Sequence, residues 1–144
     1  MIRALILVIL FNLMSFADTV YAEPKPSMFE PRKIVFSINS ADHEVINHVL
    51  SSANNVLKYY GPEKVNMKIV AYYHGIEALL KKNDDIAVRI DALQQYGVEF
   101  VACENTMHTK HIKKEELIDD VEVVTAGIVE ITERVKEGWI YIVP

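Results

Sequence analysis

The run Lys33-Ile34-Val35-Phe36-Ser37-Ile38 decides the fold of this chain. It is short, β-branched and almost uniformly apolar, as is typical of a strand in a sheet that is covered on both faces. The residues that follow change period: from Val45 to Tyr60, apolar side chains recur three and four positions apart, which places them on one face of a helix. Ser40 or Asp42 can cap that helix, and Gly61-Pro62 ends it.

The alternation of strand and helix continues along the chain. Further strands are predicted at 65–73, 98–102, 121–124 and 139–143, and helical segments at 76–80, from 83 to Gly97, at 105–113, at 114–117 and from about 125 to Gly138. In the last helix, Ile128, Ile131 and Val135 are expected to face inward. Such alternation predicts a parallel sheet with helices on both faces, a three-layer α/β/α fold. Residues 33–144 should form one domain.

The first residues have the composition of an export signal. A positive start at Arg3 precedes an apolar run, and Val20-Tyr21-Ala22 offers small residues at the spacing that signal peptidase needs. We therefore expect residues 1–22 to be a signal peptide cleaved after Ala22, and the mature protein to be periplasmic. The apolar run is shorter than the roughly 20 residues that cross a bilayer, so no stable membrane insertion is expected. Residues 23–32, with three prolines, read as an extended leader.

Charge and cysteine content limit the function. The formal net charge is -5, which argues against a nucleic-acid surface rich in Lys and Arg. No glycine-rich phosphate loop follows the first strand, where Asn39-Ser40-Ala41-Asp42 stands, so no nucleotide cofactor is expected. The single cysteine, Cys103, cannot form an internal disulfide. It is therefore a free thiol, half of an intermolecular bridge, or a carrier of another group.

Several chemically capable residues follow the predicted strands. In open α/β sheets, ligands bind outside the carboxyl ends of the strands. That edge would bring together Asn39-Ser40, His74-Gly75, Cys103 and the segment Thr125–Gly127. This convergence predicts a site around Cys103.

The chemistry of Cys103 has two interpretations. At the start of a helix, unpaired backbone donors would favour the thiolate, whereas the adjacent Glu104 would oppose it unless its side chain points away. Alternatively, Cys103 is a small buried packing residue. His74 could form a Cys-His pair with it, or could simply be hydrogen-bonded at a strand end.

Two other groups of residues have weaker functional interpretations. His108 and His111, three apart on one predicted helix face, could bind a metal with Cys103, but more often such a face is solvated. We predict no metal site. The acidic pairs Glu115-Glu116 and Asp119-Asp120 fit a solvated connection between elements.

Four segments together resemble the DsrE/DsrF-like family. They are His74-Gly75-Ile76 with Leu79-Leu80, the run Val101-Ala102-Cys103-Glu104-Asn105-Thr106-Met107, the run Val123–Glu130, and the run Glu137–Ile142. The most specific parts are Cys103-x-Asn105-Thr106-Met107 and Gly138-Trp139-x-Tyr141-Ile142. The resemblance covers essentially all of the chain after the proline-rich leader.

The resemblance implies a fold, an activity and partners. The fold would be a five-stranded parallel sheet, flavodoxin-like in general architecture, in a homo-oligomer such as a trimer or hexamer. Cys103 would accept sulfane sulfur as a persulfide and pass it between a donor and an acceptor protein. His74, Gly75, Asn105 and Thr106 would line the pocket, with Gly127 on the same edge. Glu104 departs from the Gly that relatives often have, and an export signal departs from their cytoplasmic location. The rival hypothesis is an oligomeric binding module with an inert Cys103.

Overall fold

The computed structural model describes residues 18–144. The strands are β1 (Arg32–Ile38), β2 (Val65–Ala71), β3 (Val98–Cys103), β4 (Glu122–Val124) and β5 (Ile140–Ile142). The α-helices are α1 (His43–Tyr60), α2 (Asp84–Gln94), α3 (Glu104–Lys110) and α4 (Gly127–Lys136). Short 3₁₀ segments occupy Pro62–Lys64, Tyr73–Leu79 and Lys114–Glu116.

The five strands form one parallel sheet in the order β4-β3-β2-β1-β5, which confirms the predicted fold class. From β1 to β4 the chain adds strands on one side, and it then crosses back to place β5 on the other side of β1. Because all strands run in the same direction, their carboxyl ends meet at one edge. The ends of β1, β2, β3 and β4 therefore lie side by side, as the sequence predicts.

The two faces of the sheet are covered unequally. The larger core lies beneath α1, α2 and α3, and it contains alternate residues of β1 such as Ile34, Phe36 and Ile38. Within residues 18–144, α4 is the one helix on the opposite face, with a small apolar cluster of Val35, Val70, Val101 and Ile131. The first face supplies most of the hydrophobic stabilisation, while the second leaves α4 with few apolar contacts.

Helix α1 has the boundaries that its sequence indicates. The Asp42 carboxylate accepts a hydrogen bond from the Glu44 N–H at 2.8 Å, which satisfies a free donor at the helix start. At the other end, Gly61 has φ 83° and donates to the Leu57 carbonyl. The inner stripe is buried as predicted at its centre, but Val45 at its start is 39% exposed and Tyr60 at its end is half-buried.

The structure corrects three local predictions. Strand β2 ends at Ala71 instead of Tyr73, because Tyr73 adopts a left-handed conformation with φ 53° that no strand can contain. Helix α3 ends at Lys110, because His111 is also left-handed, with φ 56°. In α4, Ile131 is buried, but Ile128 and Val135 are 56% and 45% exposed, so the prediction that they face inward was wrong.

The segment before β1 packs on the domain. Residues 1–17, most of the predicted signal peptide, lie outside the described residues. The Tyr21 ring lies 5.7 Å from the rings of both Tyr59 and Tyr60, and the Arg32 guanidinium donates to the Ala22 carbonyl at 2.6 Å. Within residues 18–144, no helix is both long and apolar enough to cross a membrane.

Candidate functional site

Cys103 lies where β3 ends and α3 begins. It is the last residue of β3 and the N-cap position of α3. Because side chains alternate along a strand, it shares with Val101 the sheet face that α4 covers. It is 7% exposed. The first turn of α4 is in close contact with it: a Cβ built on Gly127 would lie 3.2 Å from the Cys103 Cβ. Glycine at 127 therefore allows the helix start to approach the thiol.

Several hydrogen-bond donors converge on the thiol. Partial burial raises the pKa of Cys103, but hydrogen bonds from the Gly127 N–H, from the hydroxyl and N–H of Thr106 and from the Asn105 N–H outweigh it. The net pKa is lowered from 9.0. Donors to the charged form of an acid stabilise it. The site thus increases the fraction of thiolate, the nucleophilic form of cysteine.

Tyr73 orients the Thr106 hydroxyl. The Tyr73 N–H donates to Thr106 Oγ1 at 3.1 Å. A hydroxyl can accept and donate at the same time, so this contact leaves the Thr106 proton available for the Cys103 sulfur.

Asn105 ties the start of α3 to the end of β4. Its N–H donates to the Thr125 carbonyl at 3.1 Å, and the same carbonyl lies 4.0 Å from Cys103 Sγ. A protonated thiol can donate to this oxygen, whereas a thiolate cannot. The contribution of Asn105 observed here is made by its backbone, and its side chain is exposed.

Gly75 is required by packing. A Cβ at this position would lie 2.0 Å from the Ile38 carbonyl oxygen, a distance that two such atoms cannot adopt. The residue is buried against the end of β1. Gly75 therefore shapes the edge of the sheet and brings the segment that carries His74 close to it.

His74 is exposed and contacts Lys110 and Tyr73. The Lys110 ammonium lies 3.2 Å from His74 Nδ1, and the rings of Tyr73 and His74 are 4.0 Å apart. Because an ammonium group only donates, Nδ1 must be the acceptor, which places the imidazole proton on Nε2. This arrangement matches the interpretation of His74 as a hydrogen-bonded histidine near a strand end. Its imidazole is engaged with α3.

Glu104 and the remaining histidines of this region lie on α3 or directly after it. Glu104 and His108 line an open groove of about 400 Å³ together with Met107 and Ile112. His111 follows the end of α3 in a left-handed conformation, so it does not share a helical face with His108, contrary to the prediction. Within the part of the chain that the structure describes, no three His, Cys, Asp or Glu side chains are placed to hold a metal ion.

The sequence interpretation missed two features near the site. One is the conformation of Tyr73, for which the sequence carries no signal. The other is Lys68, a buried lysine inside β2 that contacts three carboxylates beneath α4. A lysine between Met67 and Ile69 in an apolar strand was the available signal, because a buried lysine needs an anionic partner.

Fold and site together define a single-cysteine α/β protein whose thiol lies at the carboxyl edge of a parallel sheet, between the starts of two helices. The model of the DsrE/DsrF-like family matches residues 17–144, and the chain belongs to this family. Membership suggests a sulfur-relay-like role. No curated protein matches the chain significantly.

Three solved structures are similar to this chain. The protein of unknown function MTH1491 from Methanobacterium thermoautotrophicum is 29% identical, with a TM-score of 0.74, and the match covers 78% of this chain and 99% of that one. The ychN protein from E. coli is 19% identical, with a TM-score of 0.67, covering 77% and 99%. The conserved protein of unknown function BT1422 from Bacteroides thetaiotaomicron is 14% identical, with a TM-score of 0.56, covering 76% and 92%. The last two share the fold alone.

Proposed function

We propose that this protein is a periplasmic sulfur carrier in which the Cys103 thiolate accepts sulfane sulfur from a donor and transfers it to an acceptor. The observation that carries the proposal is the position of Cys103, the only cysteine of the chain, at the start of α3 and in close contact with Gly127 at the start of α4. Backbone and hydroxyl donors of these two helix starts lower the pKa of its thiol. A packing cysteine has no need of such donors. Family membership adds support, because it suggests a role in sulfur relay.

The proposed reaction is an exchange at sulfur. The Cys103 thiolate donates an electron pair to the terminal sulfane sulfur of a persulfide R–S–SH, the donor S–S bond breaks, and R–S⁻ leaves. Cys103 then carries –S–SH, and attack by an acceptor thiolate on its outer sulfur regenerates the Cys103 thiolate. With thiosulfate as donor, sulfite is the leaving group. Neither exchange needs an external oxidant or reductant.

Mass spectrometry tests the proposal directly. Protein incubated with thiosulfate or polysulfide should gain about 32 Da, the mass of one sulfur atom, at Cys103, and a reducing thiol should remove it. Cys103→Ser is the matched control because it deletes the only thiol. An unmodified wild-type protein, or an equal adduct on the serine variant, would exclude Cys103 as the carrier.

Export is proposed from the sequence of residues 1–22, with cleavage after Ala22. Cleavage there would remove Tyr21 and its contacts with Tyr59 and Tyr60. The intact mass of protein recovered from the periplasm tests this, because the cleaved chain should begin at Glu23. A mass that includes residues 1–22 would contradict it.

A homo-oligomer, a trimer or hexamer, is also proposed. Its support is the exposed apolar surface of α4 and β5, where Ile128, Val129 and Ile140 are each more than half exposed. Apolar patches on one side of a domain are typical of interaction sites. Light scattering should give a mass of three or six subunits, and Ile140→Asp should dissociate them. A monomeric wild type would refute this proposal.

A second candidate is a binding module in which Cys103 is inert. The observation that favours it is the 7% exposure of Cys103, which restricts access of a donor. The rate of alkylation distinguishes the two candidates. At neutral pH, an inert buried cysteine should be alkylated more slowly than a free thiol. A cysteine with a lowered pKa should be alkylated faster than its small exposed fraction predicts.

A further inference from the structure

Lys68 is a buried cation beneath α4. It lies in β2 on the same sheet face as Val70, and its side chain is 9% exposed. Its Nζ lies 3.0 Å from Glu99, 3.2 Å from Glu122 and 3.2 Å from Glu130. Glu99 belongs to the adjacent strand β3 and Glu122 to β4 beyond it, whereas Glu130 belongs to α4. The lysine therefore links the sheet to the helix.

The three carboxylates keep Lys68 charged. Burial lowers the pKa of Lys68, but hydrogen bonds with Glu99, Glu130 and Glu122 and the charge of Glu99 raise it above the ordinary value of 10.5. The Glu99 and Glu122 side chains are 59% and 55% exposed, whereas that of Glu130 is only 16% exposed. The contact with Glu130 is thus the best shielded from solvent, and Coulomb attraction is strongest where water is excluded.

Helix α4 has little else to hold it on the sheet. Its buried residues are Gly127, which has no side chain, and Ile131. Glu130 lies between them, and the Arg134 guanidinium lies 3.2 Å from the same carboxylate oxygen. Since Glu130 is three residues from Gly127, a movement of this carboxylate moves the first turn of the helix. That turn is the part of α4 that contacts Cys103, through Gly127.

We propose that Lys68 is a positioning residue for the thiol: by binding Glu130 it fixes the first turn of α4 on the sheet, and so keeps the Gly127 N–H at Cys103. The inference deepens the proposed function, because it assigns control of the reactive thiol to a lysine outside the site. Along the strands, Lys68 pairs with Glu99, which is four residues before Cys103. Lys68 thus acts through the helix.

The conservative variant Glu130→Gln gives the decisive test, because positioning and direct electrostatics predict opposite signs. Removing a negative charge near the thiol lowers its pKa if the charge acts through space. If Glu130 acts by holding α4, its loss lets the helix start retreat and raises the thiol pKa. The thiol pKa is read from the pH dependence of the alkylation rate. We expect a rise of about one unit, which is a tenfold loss of thiolate below the pKa.

Glu99→Gln is the matched control. It makes the same chemical change on the same lysine, but on a strand, so the thiol pKa should stay at the wild-type value or fall slightly. Lys68→Met should raise the thiol pKa. The rise should be smaller when Glu130→Gln is already present, because both substitutions break the same contact between Lys68 and Glu130. A lowered or unchanged pKa in Glu130→Gln, or an equal rise in Glu99→Gln, would overturn the inference.

This test is independent of sulfur transfer. If the wild type gains no sulfur but Glu130→Gln still raises the thiol pKa, the positioning role stands and the proposed function fails. If sulfur is gained while Glu130→Gln leaves the pKa unchanged, the function stands and the positioning role fails.

Discussion

Replacing Thr106 by valine removes one donor from the thiolate and keeps the shape of the side chain. A hydrogen bond to a charged group contributes about 1.5–3 kcal/mol. The donors from Asn105 and Gly127 remain, so the lower end of this range applies at Cys103. One pKa unit corresponds to about 1.4 kcal/mol, and the thiol pKa should therefore rise by about one unit.

The assay is the pH profile of alkylation, compared between wild type, Thr106→Val and Thr106→Ser. Below its pKa, the valine variant has about a tenfold smaller thiolate fraction, but a more basic thiolate is a better nucleophile, with a Brønsted coefficient of roughly 0.4–0.5. The net loss of rate near neutral pH should thus be about threefold. Thr106→Ser keeps the hydroxyl and should keep the wild-type profile.

The valine variant also removes the acceptor of the Tyr73 N–H. Tyr73 is 60% exposed, so water can replace this acceptor, and the free energy of unfolding should fall by less than about 1 kcal/mol. Two results would refute the role of the hydroxyl: a wild-type thiol pKa in Thr106→Val, or an equal rise in Thr106→Ser. Either would mean that backbone donors alone set the thiol pKa.

Three further outcomes follow from the structure. Gly75→Ala should lower the free energy of unfolding by more than Gly97→Ala, for which roughly 1–2 kcal/mol is expected. At Gly97 the only penalty is the positive φ, whereas a Cβ at Gly75 would collide with the backbone of Ile38. Urea denaturation of the two variants compares these costs. The free energy of unfolding of wild type, relative to Cys103→Ser, should rise with pH from the lowered thiol pKa of the folded state up to about 9.0 and then level off. Between these two pKa values the thiol is protonated in the unfolded state and ionised in the folded state. Urea denaturation across this pH range checks the sign. Ile131→Ala should cost roughly 2–5 kcal/mol, whereas Ile128→Ala should change the unfolding of the isolated subunit by less than about 0.5 kcal/mol, as thermal melts would show.

The order of elements was predictable because the periodicity of the chain changes at each boundary. The apolar run that became β1 and the three-and-four spacing of α1 are strong patterns, and Asp42 and Gly61 mark the ends of that helix by local hydrogen bonding. The proximity of Cys103 and Gly127 followed from a topological rule, since both come directly after or near parallel strand ends. None of these inferences required knowledge of tertiary contacts.

Periodicity fails where a helix is only partly covered. Ile128, Ile131 and Val135 have the spacing of an inward stripe, but α4 is alone on its sheet face, and only Ile131 reaches the small cluster there. The apolar residues that remain exposed indicate a surface for association, which periodicity cannot distinguish from a core. Lys68 was missed for a related reason, because its three carboxylates come from separate elements that only the folded chain brings together.

Glu104 shows how a neighbour in sequence can be remote in effect. The carboxylate next to the only thiol argued against a thiolate, and it was the main sequence-based objection to a reactive Cys103. In the structure, Cys103 ends a strand with its side chain in contact with Gly127 of α4, whereas Glu104 starts α3 and lines an open groove with Met107 and His108. Burial raises the pKa of the thiol, but the donors of Gly127, Thr106 and Asn105 lower it below its ordinary value.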